Sequence, residues 1–173
     1  MLIQSRNIND YKPILEGLVE DFGYAYYHAI LAWCRVIDDD TPENFWQVYL
    51  VTDDVADDSK APIGKVVGIC GLYSHTASTD ELWLGWFGIV PERRNGGIGK
   101  EVLDALKDIA YNYNAAKLMS YVDKEGAPLN FYYRNGFELI GRVGEYIKDK
   151  PSLNVKEHFE DAEDFIIQYK IYV

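Results

Sequence analysis

Val90-Pro91-Glu92-Arg93-Arg94-Asn95-Gly96-Gly97-Ile98-Gly99-Lys100 is the stretch that decides the fold. Before it runs the apolar segment Leu82-Trp83-Leu84-Gly85-Trp86-Phe87-Gly88-Ile89-Val90, which reads as a buried strand. After it, Ile98, Val102, Leu103, Leu106, Ile109, Ala110 and Tyr113 recur at helical spacing. The order is strand, glycine-rich turn, helix. Such a turn presents bare backbone N–H groups at a helix N-terminus, where the dipole and the unpaired donors favour an anion, typically a phosphate.

Counting excludes two glycine loops. A Walker A loop needs Gly five residues before its Gly-Lys and Ser or Thr after it, and Arg94 and Glu101 stand there. A dinucleotide fingerprint starting at Gly97 needs a third glycine where Val102 stands. What fits is Arg94-x-x-Gly97-x-Gly99. Downstream, Lys117 to Val122 reads as a strand, followed by Ala127-Pro128-Leu129-Asn130-Phe131-Tyr132-Tyr133-Arg134-Asn135-Gly136-Phe137. Pro128 suits a first helical turn and Gly136 the position past the last, which makes a short helix.

The two motifs, in this order, resemble the pyrophosphate-binding turn and the Tyr-x-x-x-Gly-Phe signature of the GCN5-related N-acetyltransferase (GNAT) superfamily. The resemblance implies an α/β fold with a central mixed, mostly antiparallel sheet of six to seven strands flanked by about four helices. It implies acetyl-CoA as co-substrate and acetyl transfer to a primary amine, on a small cationic molecule or a peptide. The turn's backbone, Arg94, Asn95, Gly96, Gly97, Ile98, Gly99 and Lys100, would hold the pyrophosphate, and the main chain of Phe87, Gly88 and Ile89 the pantetheine arm. Arg93, Arg94 and Lys100 would make the turn locally positive. Tyr132 would protonate the departing thiolate, with Tyr133 as the alternative if the helix register shifts by one.

The sequence departs from the family in two places. A glutamate that some members carry four residues before the Phe87 position is Trp83 here; Glu81, on the same strand face, could act as general base through water. An asparagine common seven residues before the acid tyrosine is Glu125. A GNAT-fold protein that binds acyl-CoA without catalysis, as a sensor or interaction module, is therefore the competing reading.

The 173 residues suffice for one domain, 1–173, and 48% hydrophobic content is that of a globular chain. A net charge of −11 argues against a nucleic-acid partner. Met1 to Asn7 lacks a basic start followed by an apolar run, and the longest apolar stretch is too short for a membrane span. Cys34 and Cys70 are too few for a disulfide framework, so a reducing cytoplasm is expected. His28, His75 and His158 are scattered and predict no metal site. A homodimer is left open. Acidic runs at Asp38-Asp39-Asp40, Asp53-Asp54 and Asp57-Asp58, with Tyr24, Tyr26, Tyr27, Trp33, Trp83, Trp86 and Tyr146, could border the entry of a cationic amine.

The rest of the chain reads as a strand at Leu2–Arg6, a helix after Asn9 or Asp10, a second helix over Tyr24–Val36, and strands at 45–51 and 63–73. Leu139 to Ile147 and Phe165 to Tyr172 are further strands, giving the order β-α-α-β-β-β-α-β-α-β-β.

Overall fold

The structure, a computed structural model, describes residues 1–5, 8–35, 45–53, 65–150, 152–153, 155, 159 and 161–171; the side chains at 8, 21–22, 24–26 and 29–35 are not described. The Asp38–Asp40 and Asp57–Asp58 runs, and the side chains of Tyr24, Tyr26, Trp33 and Cys34, lie outside the described residues.

In chain order the elements are β1 (Leu2–Ile3), α1 (Lys12–Arg35), β2 (Trp46–Thr52), β3 (Val66–Tyr73), β4 (Glu81–Ile89), α2 (Ile98–Asn112), β5 (Lys117–Val122), α3 (Ala127–Arg134), β6 (Glu138–Arg142), α4 (Val143–Tyr146) and β7 (Phe165–Lys170). They form one seven-stranded sheet in the order β1-β2-β3-β4-β5-β7-β6. Every neighbouring pair is antiparallel except β4 with β5. The two helices expected before β2 form one element broken at Gly23, whose φ of 77° and ψ of 170° interrupt the helical backbone. The strand expected over Leu139–Ile147 stops at Arg142 and turns into α4.

Sheet alternation assigns each face a core. Leu82 and Leu84 of β4 join Val102, Leu103, Leu106 and Ala110 of α2 and Tyr132 and Phe137 of the α3 segment on one face. Burying each of the two α2 leucines contributes about 1.5–3 kcal/mol. On the other face, Tyr11, Ile14, Leu15 and Leu18 of the α1 segment cover Val48, Leu50 and Ile69. Trp83 and Met119 on that face meet Val143, Leu153, Phe159 and Ile166. Tyr113, expected on the apolar face of α2, follows the helix's last residue and is 42% exposed.

A bulge in β4 controls the site. Ile69 pairs with Gly88 and Gly71 with Gly85, so Trp86 and Phe87 both stand opposite Cys70. Trp86 takes φ 55°, the left-handed region. The extra residue flips the alternation: Phe87 and Ile89 pack with the Leu82–Leu84 face, while Trp86 packs with the α1 side.

Close approach of β3 and β4 depends on Gly68, where an added Cβ would meet the Gly88 carbonyl oxygen and Ile89 Cδ1 at 2.6 Å each. Gly68→Ala should therefore destabilise the protein by about 1–3 kcal/mol, read by urea unfolding. A change within error would show that the two strands can part locally at no cost.

Candidate active site

The parallel pair β4–β5 is in register only from Glu81 to Trp83 against Lys117 to Met119. Beyond that the strands part. Leu84 to Ile89 then runs roughly 20 Å along one side of a fork, at about 3.3 Å per residue. Val90 N–H donates to the Val67 carbonyl on the β3 side, so alternation turns the main chain of Ile89 toward the gap. There its carbonyl accepts a 2.7 Å hydrogen bond from Arg94 Nε.

At the open end of the fork lies the glycine turn. Arg93 N–H reaches Val90 O, Arg94 N–H reaches Pro91 O, and Lys100 and Glu101 N–H both reach Gly97 O. Among the described residues, the amides of Asn95, Gly96, Gly97, Ile98 and Gly99 carry no backbone acceptor. Asn95 and Gly97 adopt φ 62° and 91°, and a Cβ at Gly97 would meet nothing within 4 Å. The turn is a concave run of donors at the N-terminus of a 15-residue helix, which suits a phosphate oxygen set.

The three cations of the turn are less available than the sequence implies. Arg93 pairs with Asp53 at the end of β2, Arg94 reaches Ile89, and Lys100 pairs with Asp104 one helical turn on. Anion attraction at the turn thus rests mainly on backbone amides.

At the closed end stands Tyr132. Of the two adjacent tyrosines, Tyr132 is 7% exposed and faces the sheet, and Tyr133 is 40% exposed. Helix α3 is stopped at Gly136, whose φ of 86° lets Phe137 N–H return to the Tyr132 carbonyl at 3.1 Å. Lys107 of α2 ties that end down by donating to Asn135 O at 2.8 Å. Phe131 packs against Phe87 across 6.0 Å and lies 3.5 Å from where a Gly99 Cβ would be. The Tyr132 hydroxyl lies beside the Ser120 hydroxyl, on the first β5 residue past the paired stretch. Burial pushes its hydroxyl up to about 12 against the opposing effect of the Ser120 hydroxyl. Cys70, opposite the bulge, is fully buried and its thiol is raised by that burial, which makes it unreactive.

Glu81 sits behind the closed end, at the far side of the paired stretch, on the same face as Trp83. Its Oε1 accepts from Trp83 Nε1 at 3.0 Å and Tyr146 Oη at 2.7 Å, and its Oε2 pairs with Lys117 Nζ at 2.8 Å. Burial raises its carboxyl, but the bonds from Lys117, Tyr146 and Trp83 outweigh that and hold it below the ordinary carboxylate value. Sequence reading missed Ser120, Lys117 and the bulge at Trp86. Glu125, the position departing from the family pattern, is exposed just before α3.

The fold resembles several solved acetyltransferases. An aminoglycoside 6'-acetyltransferase type Ii superposes with TM-score 0.68 at 15% identity, covering 100% of this chain and 98% of that one. An aminoglycoside 6'-N-acetyltransferase complexed with coenzyme A gives 0.68 at 12%, covering 100% and 97%. A GNAT-family acetyltransferase from Staphylococcus aureus gives 0.67 at 16%, covering 99% of each chain. No curated protein matches the sequence. The acetyltransferase (GNAT) domain family matches residues 42–139, which hold the fork, the glycine turn and α3. That span is more than half of the 173 residues, and the chain belongs to the GNAT acetyltransferase family.

Proposed function

We propose that this protein transfers an acetyl group from acetyl-CoA to a primary amine, by direct attack within a ternary complex. One observation carries the reading: a fork in the sheet with unpaired turn amides at its open end and a buried tyrosine hydroxyl at its closed end. The backbone from Arg94 to Lys100 would hold the pyrophosphate, with Phe87, Gly88 and Ile89 lining the arm. The acceptor nitrogen attacks the thioester carbonyl carbon, the C–S bond breaks, Tyr132 donates to the departing sulfur, and the proton shed by the nitrogen passes to water, from which Tyr132 is reprotonated. A hydroxyl held at about 12 is a weaker acid than the thiol it serves, near 8.5, so a hydrogen bond to the developing thiolate comes before proton transfer.

The acceptor class we infer is a cationic amine, small or peptide-borne, attracted by a chain of net charge −11. Two of the superposed proteins are named aminoglycoside acetyltransferases, which supports the small-amine form. The buried thiol of Cys70 fits a reducing compartment, and we place the protein in the cytoplasm as one domain over 1–173. No described helix is long and apolar enough to cross a membrane. Trp83 in the usual base position favours the rival reading, acyl-CoA binding without turnover. Incubation with acetyl-CoA and spermidine, kanamycin or a lysine peptide decides between them: released CoA thiol supports the enzyme, and none with all three supports the binder. An acceptor KM that rises with ionic strength is expected for a cationic amine.

Binding should localise to the turn. Gly99 has ordinary backbone and its added Cβ would make only normal contact with Phe131, so Gly99→Ala should fold normally while weakening CoA at least roughly tenfold in calorimetry. Unchanged affinity would remove the pyrophosphate from this turn. Gly97→Leu is the less clean variant, because φ 91° adds strain of roughly 1–2 kcal/mol.

Tyr132→Phe should leave CoA affinity intact and cut turnover by roughly 10²–10⁴-fold. Because burial raises the hydroxyl, it stays protonated as pH climbs through the neutral and mildly alkaline range. The rate should therefore rise as the amine loses its proton and then level off, without a fall due to Tyr132 below about pH 10. A rate unchanged in the Phe variant would leave Tyr132 as a packing residue.

A further inference from the structure

Glu81 is gripped from three elements at once: by Trp83 within β4, by Lys117 at the start of β5 and by Tyr146 of α4, 65 residues away in sequence. Each of the two Oε1 donors carries a ring. Trp83 is fully buried and meets Tyr146 edge-on at 5.8 Å; Tyr73, His75 and Phe159 complete the ring cluster around it. Tyr146 reaches Glu81 because α4 is pinned at its first turn. Val143 and Gly144 N–H donate to Asp164 and Ala162 carbonyls, both at 2.8 Å, and Gly144 lies so close to Ala162 that a Cβ would stand 3.3 Å from it. Trp83 is also the last β4 residue paired with β5, so the rings set by Glu81 stand beside the closed end of the fork.

We infer that Glu81 is a positioning residue: its carboxylate fixes the Tyr146 ring, backed by the buried Trp83 ring, as the wall against which the amine acceptor is held. This rests on the acetyl-transfer reading. Taking up a proton on Oε2 would cost Glu81 its ion pair with Lys117 and would strip the charge assistance from the two bonds to Oε1 that hold those rings. The acceptor's proton accordingly leaves by another route. The charged and titratable groups around this wall are Lys117 with Lys170 across from it in β7, Tyr146 beneath Lys150, and Tyr73, His75 and Tyr121 about Trp83 and Phe159. Glu81's carboxyl lies below its ordinary value, in the direction that opposes base catalysis.

The test uses Glu81→Leu, Tyr146→Phe and their double variant with the fastest of the three amines, beside Glu81→Gln, whose amide oxygen can still accept from both rings. Expected is a roughly tenfold rise in acceptor KM in Glu81→Leu and in Tyr146→Phe, no larger in the double, and most of that KM regained in Glu81→Gln, with kcat within about threefold and acetyl-CoA affinity unchanged throughout. The acid limb of the pH–rate profile should not move. A kcat loss of roughly 10²-fold or more in Glu81→Gln at unchanged acceptor KM, or loss of that limb, would make Glu81 the base and overturn the inference. A second readout needs no acceptor. The Trp83 indole Nε1–H resonance, followed against pH, should titrate with a midpoint below that of an ordinary carboxylate. A midpoint near neutrality overturns the inference. Failure of the parent reading looks different: CoA binding absent from the turn, or Tyr132→Phe at full rate.

Discussion

Everything at the site follows from the early end of one strand pairing. Past Trp83 and Met119, β4 and β5 no longer satisfy each other's main-chain groups, although Ile89 and Leu84 remain buried. Buried N–H and C=O groups must find partners, so the gap has to be answered by side chains or by a ligand. The bulge at Trp86 bends β4 and turns Phe87 and Ile89 onto the face that α2 and α3 cover. Phe131 and Tyr132 then close that face, one against Phe87 and the other against Ser120.

An acidic protein that reads as a phosphate binder needs an explanation for its charge. The cations of the turn are occupied by Asp53, Asp104 and the Ile89 carbonyl, so net side-chain charge near the turn is close to balanced. Amides have no counter-ion to take them up, and their dipoles stay aimed at the concavity. Excess negative charge elsewhere can then act on the other substrate without competing at the turn.

Much of this was legible in the sequence, because glycine and proline leave marks. Pro128 and Gly136 do bound α3, and the Gly96–Gly99 run opens α2. The expected element order appears with two changes: the first two helices are one element interrupted at Gly23, and α4 stands between the last two strands. The bulge was not legible: its left-handed residue is a tryptophan, flanked by glycines at 85 and 88 that do not take the strain. Without it, simple alternation puts Phe87 on the wrong face. Residues 143–147 look like strand because Val, Tyr and Ile favour strands, and the bonds of Val143 and Gly144 to Asp164 and Ala162 that accompany the helical turn come from a segment with no local link to them. Glu81's partners come from positions 83, 117 and 146, and no local pattern links the last two to it.

The lone parallel pairing also bears on how the molecule comes together. Strands β1 to β4 close largely as antiparallel neighbours, and β5, β6 and β7 form a second antiparallel group. Within the described sheet the two groups are joined by the short register of Glu81–Trp83 with Lys117–Met119, and that pairing needs α2 as its crossover. Pairings of that kind carry the larger loop-closure cost and form late. The fork is thus the seam between the two antiparallel groups of the sheet, and native-state hydrogen exchange along that seam reads how readily they open against each other.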